Sequence, residues 1–114
     1  MTAEEHKVSR AGSQTVVTMP AEIDAMNADE VGAALLAAAG NGVTTLIIDM
    51  SGTTFCDSAG VHAVITAYRQ AAQAGTEVRL VATKVLRVFA LIGVDQLMAT
   101  YPTLEAALAD TPAA

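Results

Sequence analysis

The sequence has no tryptophan, two phenylalanines and two tyrosines in 114 residues, so base-stacking or sugar-stacking platforms have almost nothing to be built from. Direct nucleic-acid binding is not expected. A single cysteine, Cys56, rules out an internal disulfide. Basic residues are scarce as well, six against twelve acidic ones for a formal net charge of -6, and none lies between Ala11 and Tyr68. Glu22, Asp24, Asp29, Glu30, Asp49 and Asp57 all fall in that stretch. Such a surface repels phosphates and anionic lipid and attracts a basic patch on another protein, although any one of these acids alone also serves solubility. No charged segment followed by an apolar one opens the chain, and its longest weakly polar run, Val31 to Gly40, is half of what a bilayer needs. Membrane insertion is not expected, and the cytoplasm is the expected compartment.

What is present suits one small α/β domain spanning 1–114. Hydrophobic types make up 53% of the chain, but 24 of them are alanine, which leaves 36 larger apolar side chains, enough for one packed layer. Lys7 to Arg10 and Thr15 to Met19, separated by Gly12-Ser13, predict a hairpin of two strands. Ala21 to Asp24 reads as a turn or loop, and Asn27 with Glu30 three residues on has the form of a helix start, the helix running to about Ala39. Gly40-Asn41-Gly42 supplies a left-handed stop. Val43 to Met50, with Leu46, Ile47 and Ile48 consecutive, predicts a central strand buried on both faces.

A polar connector, Ser51 to Thr54, leads to a second long helix from about Ser58 to Gly75, with Val61, Val64, Ile65, Tyr68 and Ala72 at helical spacing. Glu77 to Ala82 is the next strand, with Val78, Leu80 and Ala82 alternating against Arg79 and Val81. Lys84 to Ile92 predicts a third helix ended by Gly93, followed by a short strand near Thr100-Tyr101 and a last helix from about Leu104. The alternation implies a mixed, mostly parallel sheet of four or five strands with an N-terminal hairpin and about four helices.

The residues that could carry chemistry gather between Asp49 and His62, at the carboxyl end of the central strand, where open α/β sheets usually place their sites. Ser58 falls at or beside the N-cap of the second helix, where the dipole favours an anion; on position alone it is also explained as a capping serine. As a hydrolytic nucleophile it lacks its partners, because Cys56 replaces the first glycine of the elbow motif and no late acid and histidine pair follows. His62 falls on the line Ser58, His62, Thr66, Arg69 and Gln73, the exposed side of that helix. Cys56, beside Phe55, reads as a small buried hydrophobe before it reads as a thiol activated by a helix start. His6 and His62 have no ligand spacing around them, and no glycine-rich phosphate loop occurs, so neither a metal nor another cofactor is expected.

A longer pattern joins these pieces. Ala21-Glu22-Ile23-Asp24, Leu46-Ile47-Ile48-Asp49-Met50-Ser51-Gly52, Thr54-Phe55-Cys56-Asp57-Ser58-Ala59-Gly60-Val61, Gly75 before Val78-Arg79-Leu80-Val81, and Leu91-Ile92-Gly93-Val94-Asp95 together resemble the STAS domain family, and within it the free-standing bacterial anti-sigma-factor antagonists. Ala21, where a glycine is common, and a short connector at Thr83-Lys84 depart from the family pattern. The resemblance implies a switch protein without catalytic residues of its own. In such antagonists the serine matching Ser58 is phosphorylated by an anti-sigma factor that is itself a kinase, the unmodified form binds that kinase and frees the sigma factor, and a phosphatase reverses the mark. Asp24, Asp57, Ser58, Ala59, Gly60 and His62 are the expected docking residues. The same fold would also serve a non-switching adaptor subunit of a lipid-transport or stress-signalling complex, or a domain cut from a transporter.

Overall fold

The computed structural model describes residues 7–40, 42–91 and 93–109. Strands β1 (Lys7–Ala11) and β2 (Gln14–Thr18) form the hairpin, antiparallel from Lys7↔Thr18 to Ala11↔Gln14. After β3 (Glu22–Ile23) come α1 (Ala28–Ala38), β4 (Thr45–Met50), β5 (Phe55–Cys56) and α2 (Ser58–Gln73). The chain then makes β6 (Glu77–Ala82), two short helices α3 (Leu86–Leu91) and α4 (Val94–Leu97), β7 (Ala99–Tyr101) and α5 (Leu104–Ala109). The main sheet has the order β1-β2-β4-β6-β7 and every pairing after the hairpin is parallel. β4 is therefore central, as its apolar run predicts, and all six of its residues are buried.

The sheet is covered on both faces. On one, Val17, Leu46, Ile48, Met50, Val78, Leu80 and Ala82 pack against Val31 and Leu35 of α1, Val61, Val64, Ala67 and Ala71 of α2, and Phe89 of α3. On the other, Val16, Ile47 and Val81 meet Ala107 and Leu104 of α5. The core thus has two layers rather than the single one expected from the apolar count. The difference arises because the period-two alternation of β2, β4 and β6 puts large side chains on both faces.

The second layer also holds a charge. Arg79, on the solvent-side phase of a simple alternation, is fully buried. Its Nε donates to Glu77 Oε2 at 2.9 Å, its Nη1 donates to the Ala107 carbonyl oxygen at 2.5 Å, and the guanidinium lies 5.9 Å from the centre of the Tyr101 ring. One cation therefore ties β6 to β7 and α5, compensated by a carboxylate and a carbonyl so that its burial is tolerated.

Several sequence expectations need correction. Glu22 and Ile23, read as part of a turn or loop, form β3, paired in parallel with β5 as Glu22↔Phe55 and Ile23↔Cys56. Two residues are too few to show a period, so the strand exists only through that partner. Asn27 stands at the N-cap of α1 but does not close a capping box: its Oδ1 accepts from Asp24 N at 3.0 Å and its Nδ2 donates to Glu22 O at 2.9 Å. The third helix begins at Leu86, two residues later than expected, because Thr83 to Val85 spans a turn, and α4 follows Gly93 as an unexpected element. Gly42 and Gly93 adopt left-handed φ of 81° and 82° where stops are expected, whereas Asn41, Ile92, His6 and the ends of the 1–114 domain lie outside the described residues.

Replacement of Arg79 by methionine keeps most of the apolar volume but removes the donor from Glu77 and Ala107. Arg79→Met should lower stability by about 2 kcal/mol. The urea midpoint should fall with an unchanged slope.

Candidate functional site

The site is built by the small second sheet. Beyond β4, Ser51 N donates to Asp49 Oδ1 at 3.0 Å and Thr53 N to Met50 O at 3.0 Å, which turns the chain back. The buried Thr53 hydroxyl then donates to Pro20 O at 2.8 Å and Thr54 N donates to Ala21 O at 2.8 Å. The β3–β5 ladder continues this zipper until Asp57 N donates to Ile23 O at 3.1 Å. Asp24 and Asp57, far apart in sequence, thereby follow the same rung of one ladder, Ile23↔Cys56.

Helix α2 starts where the ladder ends. Asp57 has extended backbone and its Oδ1 accepts from Gly60 N at 3.1 Å, so Asp57 is the N-cap. Ser58 is then the first residue of the helix rather than its cap. Its side chain is exposed, and its hydroxyl makes no hydrogen bond with another described residue. The local reason is the carboxylate: Asp57 satisfies the first-turn N–H that a capping serine would have taken. Asp24 is half-buried, and its Oδ1 accepts from Met26 N at 2.9 Å, shaping the turn into α1.

Gly60 is buried beneath this turn. A Cβ there would stand 2.6 Å from Cys56 Sγ and 2.7 Å from Ile23 Cγ2, so α2 can settle on the β3–β5 ladder only with glycine at this place. Of the expected docking residues, Gly60 therefore lies under the surface, Ala59 and Asp57 are half-buried, and Ser58 and His62 are exposed. Burial pushes the Cys56 thiol up to about 11, and the Asp57 carboxylate adds to the effect. The thiol is thus protonated packing material, and the nearby helix start does not activate it.

Two grooves flank this turn. One, about 700 Å³, runs between α1 and α2 and is lined by small residues, among them Ala28, Gly32 and Ala63, with Asp29 on its wall. The other, about 350 Å³, lies between α2 and α3 and is lined by Cys56, Asp57, Val61, Ile65 and Val88. Ser58 and His62 line both, so they form the ridge that separates them. The residues missed by sequence reasoning are Ile23, which receives the helix start, and Val88, which walls the second groove. Ile23 stands in the sequence only as one apolar residue of the Ala21-Glu22-Ile23-Asp24 segment, with nothing to show that it packs under α2, and Val88 only as one apolar residue of the helix expected from Lys84 to Ile92.

The arrangement presents an exposed hydroxyl beside an imidazole on a ridge with the carboxylates Asp29 and Asp57 around it. Among the described residues no group of three or more His, Cys, Asp or Glu side chains could hold a metal ion, and no helix is long and apolar enough to cross a membrane.

A family model for the STAS domain matches residues 5–107. The chain belongs to the STAS domain family. Solved structures similar to this STAS domain include an anti-sigma factor antagonist from Mycobacterium paratuberculosis, with 27% identity and a TM-score of 0.83 over 91% of this chain and 90% of that one. The unphosphorylated form of the anti-sigma factor antagonist SpoIIAA superposes with a TM-score of 0.75 at 23% identity, covering 91% and 93% of the two chains. The phosphorylated form of the Bacillus cell fate determinant SpoIIAA does so with a TM-score of 0.69 at 22% identity, covering 91% and 96%. At that level of identity the SpoIIAA structures speak for the fold alone. A comparison with curated proteins finds no match.

The packing of this STAS domain at Gly60 makes two predictions. Gly60→Ala gains helix propensity but forces Cys56 and Ile23 apart, and should destabilise the domain by about 1–2 kcal/mol net. Adding Cys56→Ala, which alone weakens the domain modestly, should recover part of that loss, and a double-mutant cycle by chemical denaturation reads the coupling. Because the folded thiol ionises at a higher pH than the unfolded one, Cys56 contributes stability that is complete below pH 9 and lost as pH rises toward 11. Wild type should therefore lose stability over that interval relative to Cys56→Ala, measured by urea midpoints.

Proposed function

We propose that this STAS domain is a cytoplasmic anti-sigma factor antagonist working as a phosphorylation switch. Its unmodified Ser58 face docks on an anti-sigma factor that is also a serine kinase and so releases the sigma factor; phosphorylation of Ser58 ends the contact, and a phosphatase restores it. The observation that carries the reading is the Ser58 hydroxyl, exposed and without a hydrogen-bond partner among the described residues, on a ridge between two grooves. The similarity to a Mycobacterium paratuberculosis anti-sigma factor antagonist supports the partner class.

The physical chemistry of the ridge fits an on-off contact. A phosphate adds a charge of about -1.5 to -2 at neutral pH, and at the first position of α2 it meets the positive end of the helix, so the fold tolerates it. The surrounding surface does not welcome it. Asp57 is adjacent, Asp29 faces it across the first groove, and no Lys or Arg lines either groove. A partner packed closely on the bare hydroxyl would meet bulk and like charge together. The phosphoryl group must come from the partner, because the chain has no phosphate-binding loop.

With a cognate kinase and ATP, one phosphate should appear, on Ser58, and the modified protein should melt near the temperature of the unmodified one. Calorimetry should show binding falling sharply. Ser58→Ala should bind the kinase and escape modification, whereas Ser58→Asp should bind weakly and mimic the phosphorylated form only in part. Asp57→Asn keeps a capping oxygen, so a fall in affinity and in its salt dependence would report charge at the docking surface and not loss of the helix start. Phosphorylation elsewhere, or equal affinity of the unmodified, phosphorylated and Ser58→Asp forms, would overturn the switch and favour a non-switching adaptor.

A further inference from the structure

We propose, resting on the reading of Ser58 as the phosphorylated residue, that His62 is the internal cation that pairs with the phosphate and holds it against α2. Ser58 and His62 are four residues apart on one helix, and helical side chains tilt toward the N-terminus, so the imidazole leans back over the turn that carries Ser58. Both are exposed and both line the two grooves, which puts the two side chains on one ridge. His62 has no hydrogen bond or ion pair with another described residue, so nothing competes for its ring in the unmodified protein.

The other groups facing the ridge cannot take this part. Asp29 of α1 and the capping Asp57 are anionic and repel a phosphate, and the Cys56 thiol of β5 is protonated. α3 lines the groove with Val88, and its exposed Arg87 is not among the lining residues. Along α2 the next polar residue after His62 on the wall of the first groove is Thr66, which carries no charge, and the next cation in sequence is Arg69, about three turns beyond Ser58. A free imidazole and a phosphoserine titrate close together, at about 6.5 and about 6, so each favours the charged form of the other when they are adjacent. The pairing makes the modified state sensitive to pH near neutrality and gives the repelling charge a defined place on the ridge.

Phosphoserine placed at position 58 of the full chain during translation provides the test without a kinase. The second ionisation of the phosphate is followed by phosphorus NMR in the wild type, His62→Gln and His62→Lys. With the pairing, the wild-type phosphate ionises at a pH lower than in His62→Gln by about 0.2–0.4 of a unit, a difference that high salt reduces. His62→Lys should restore or exceed the wild-type shift, which a merely structural role for the ring would not produce. Superposable titrations of wild type and His62→Gln, or no rescue by lysine, would overturn the inference. Because the phosphoserine is incorporated during translation, a kinase that ignores Ser58 would defeat the switch while leaving this measurement to decide the pairing.

Discussion

The site depends on one close approach, the seating of Gly60 on Cys56 Sγ and Ile23 Cγ2. A helix start can descend onto a two-residue ladder only where no side chain intervenes, and that descent determines which residue of the turn points outward. With α2 seated, Asp57 is left at the cap, Ser58 at the exposed first position and His62 one turn on. A shift of one residue in this seating would bring a different side chain to the ridge, because successive helical residues point about 100° apart. Placement of the hydroxyl is therefore a packing result before it is a chemical one.

The rest of the domain serves that seating unequally. The sheet face under α1 and α2 carries the larger core, and its β4 strand delivers the chain to the loop that becomes β5. The opposite face is covered by the six-residue α5, and there Arg79 supplies bonds that a thin apolar layer would not. A buried cation costs desolvation energy, which the Glu77 carboxylate, the Ala107 carbonyl and the Tyr101 ring offset. The stabilising charge and the proposed switching charge thus sit on different layers of the molecule. Modification at Ser58 need not disturb the core.

Charge around the ridge sets what the site can do. Its carboxylates serve the fold first: Asp57 caps α2 and Asp24 shapes the turn into α1. The same groups make the surface anionic, so a basic partner would be drawn to it and an added phosphate would be opposed. The structural caps and the negative surface are here two consequences of the same carboxylates. The small residues along the groove between α1 and α2 leave space beside the hydroxyl, as at Gly32, where a Cβ would come no nearer than 3.7 Å to Ala63.

The sequence alone determined the parts governed by local periodicity. The hairpin, the doubly buried run through Leu46, Ile47 and Ile48, the apolar face of α2 and the left-handed glycines Gly42 and Gly93 were legible because each expresses a two-residue or 3.6-residue repeat or a turn requirement. So was the Asp57-Ser58-Ala59-Gly60 segment on which the family resemblance rests. Only the tertiary structure decided what depends on a distant partner. β3 exists because residues 22 and 23 find residues 55 and 56, Arg79 is inside because α5 and Tyr101 close over it, and Gly60 matters because Ile23 lies beneath it. Likewise the choice of Asp57 over Ser58 as the cap follows from where the ladder ends, since both residue types cap helices equally well in isolation. Periodicity reports which face of an element is apolar; which element comes to lie against it is set by long-range packing.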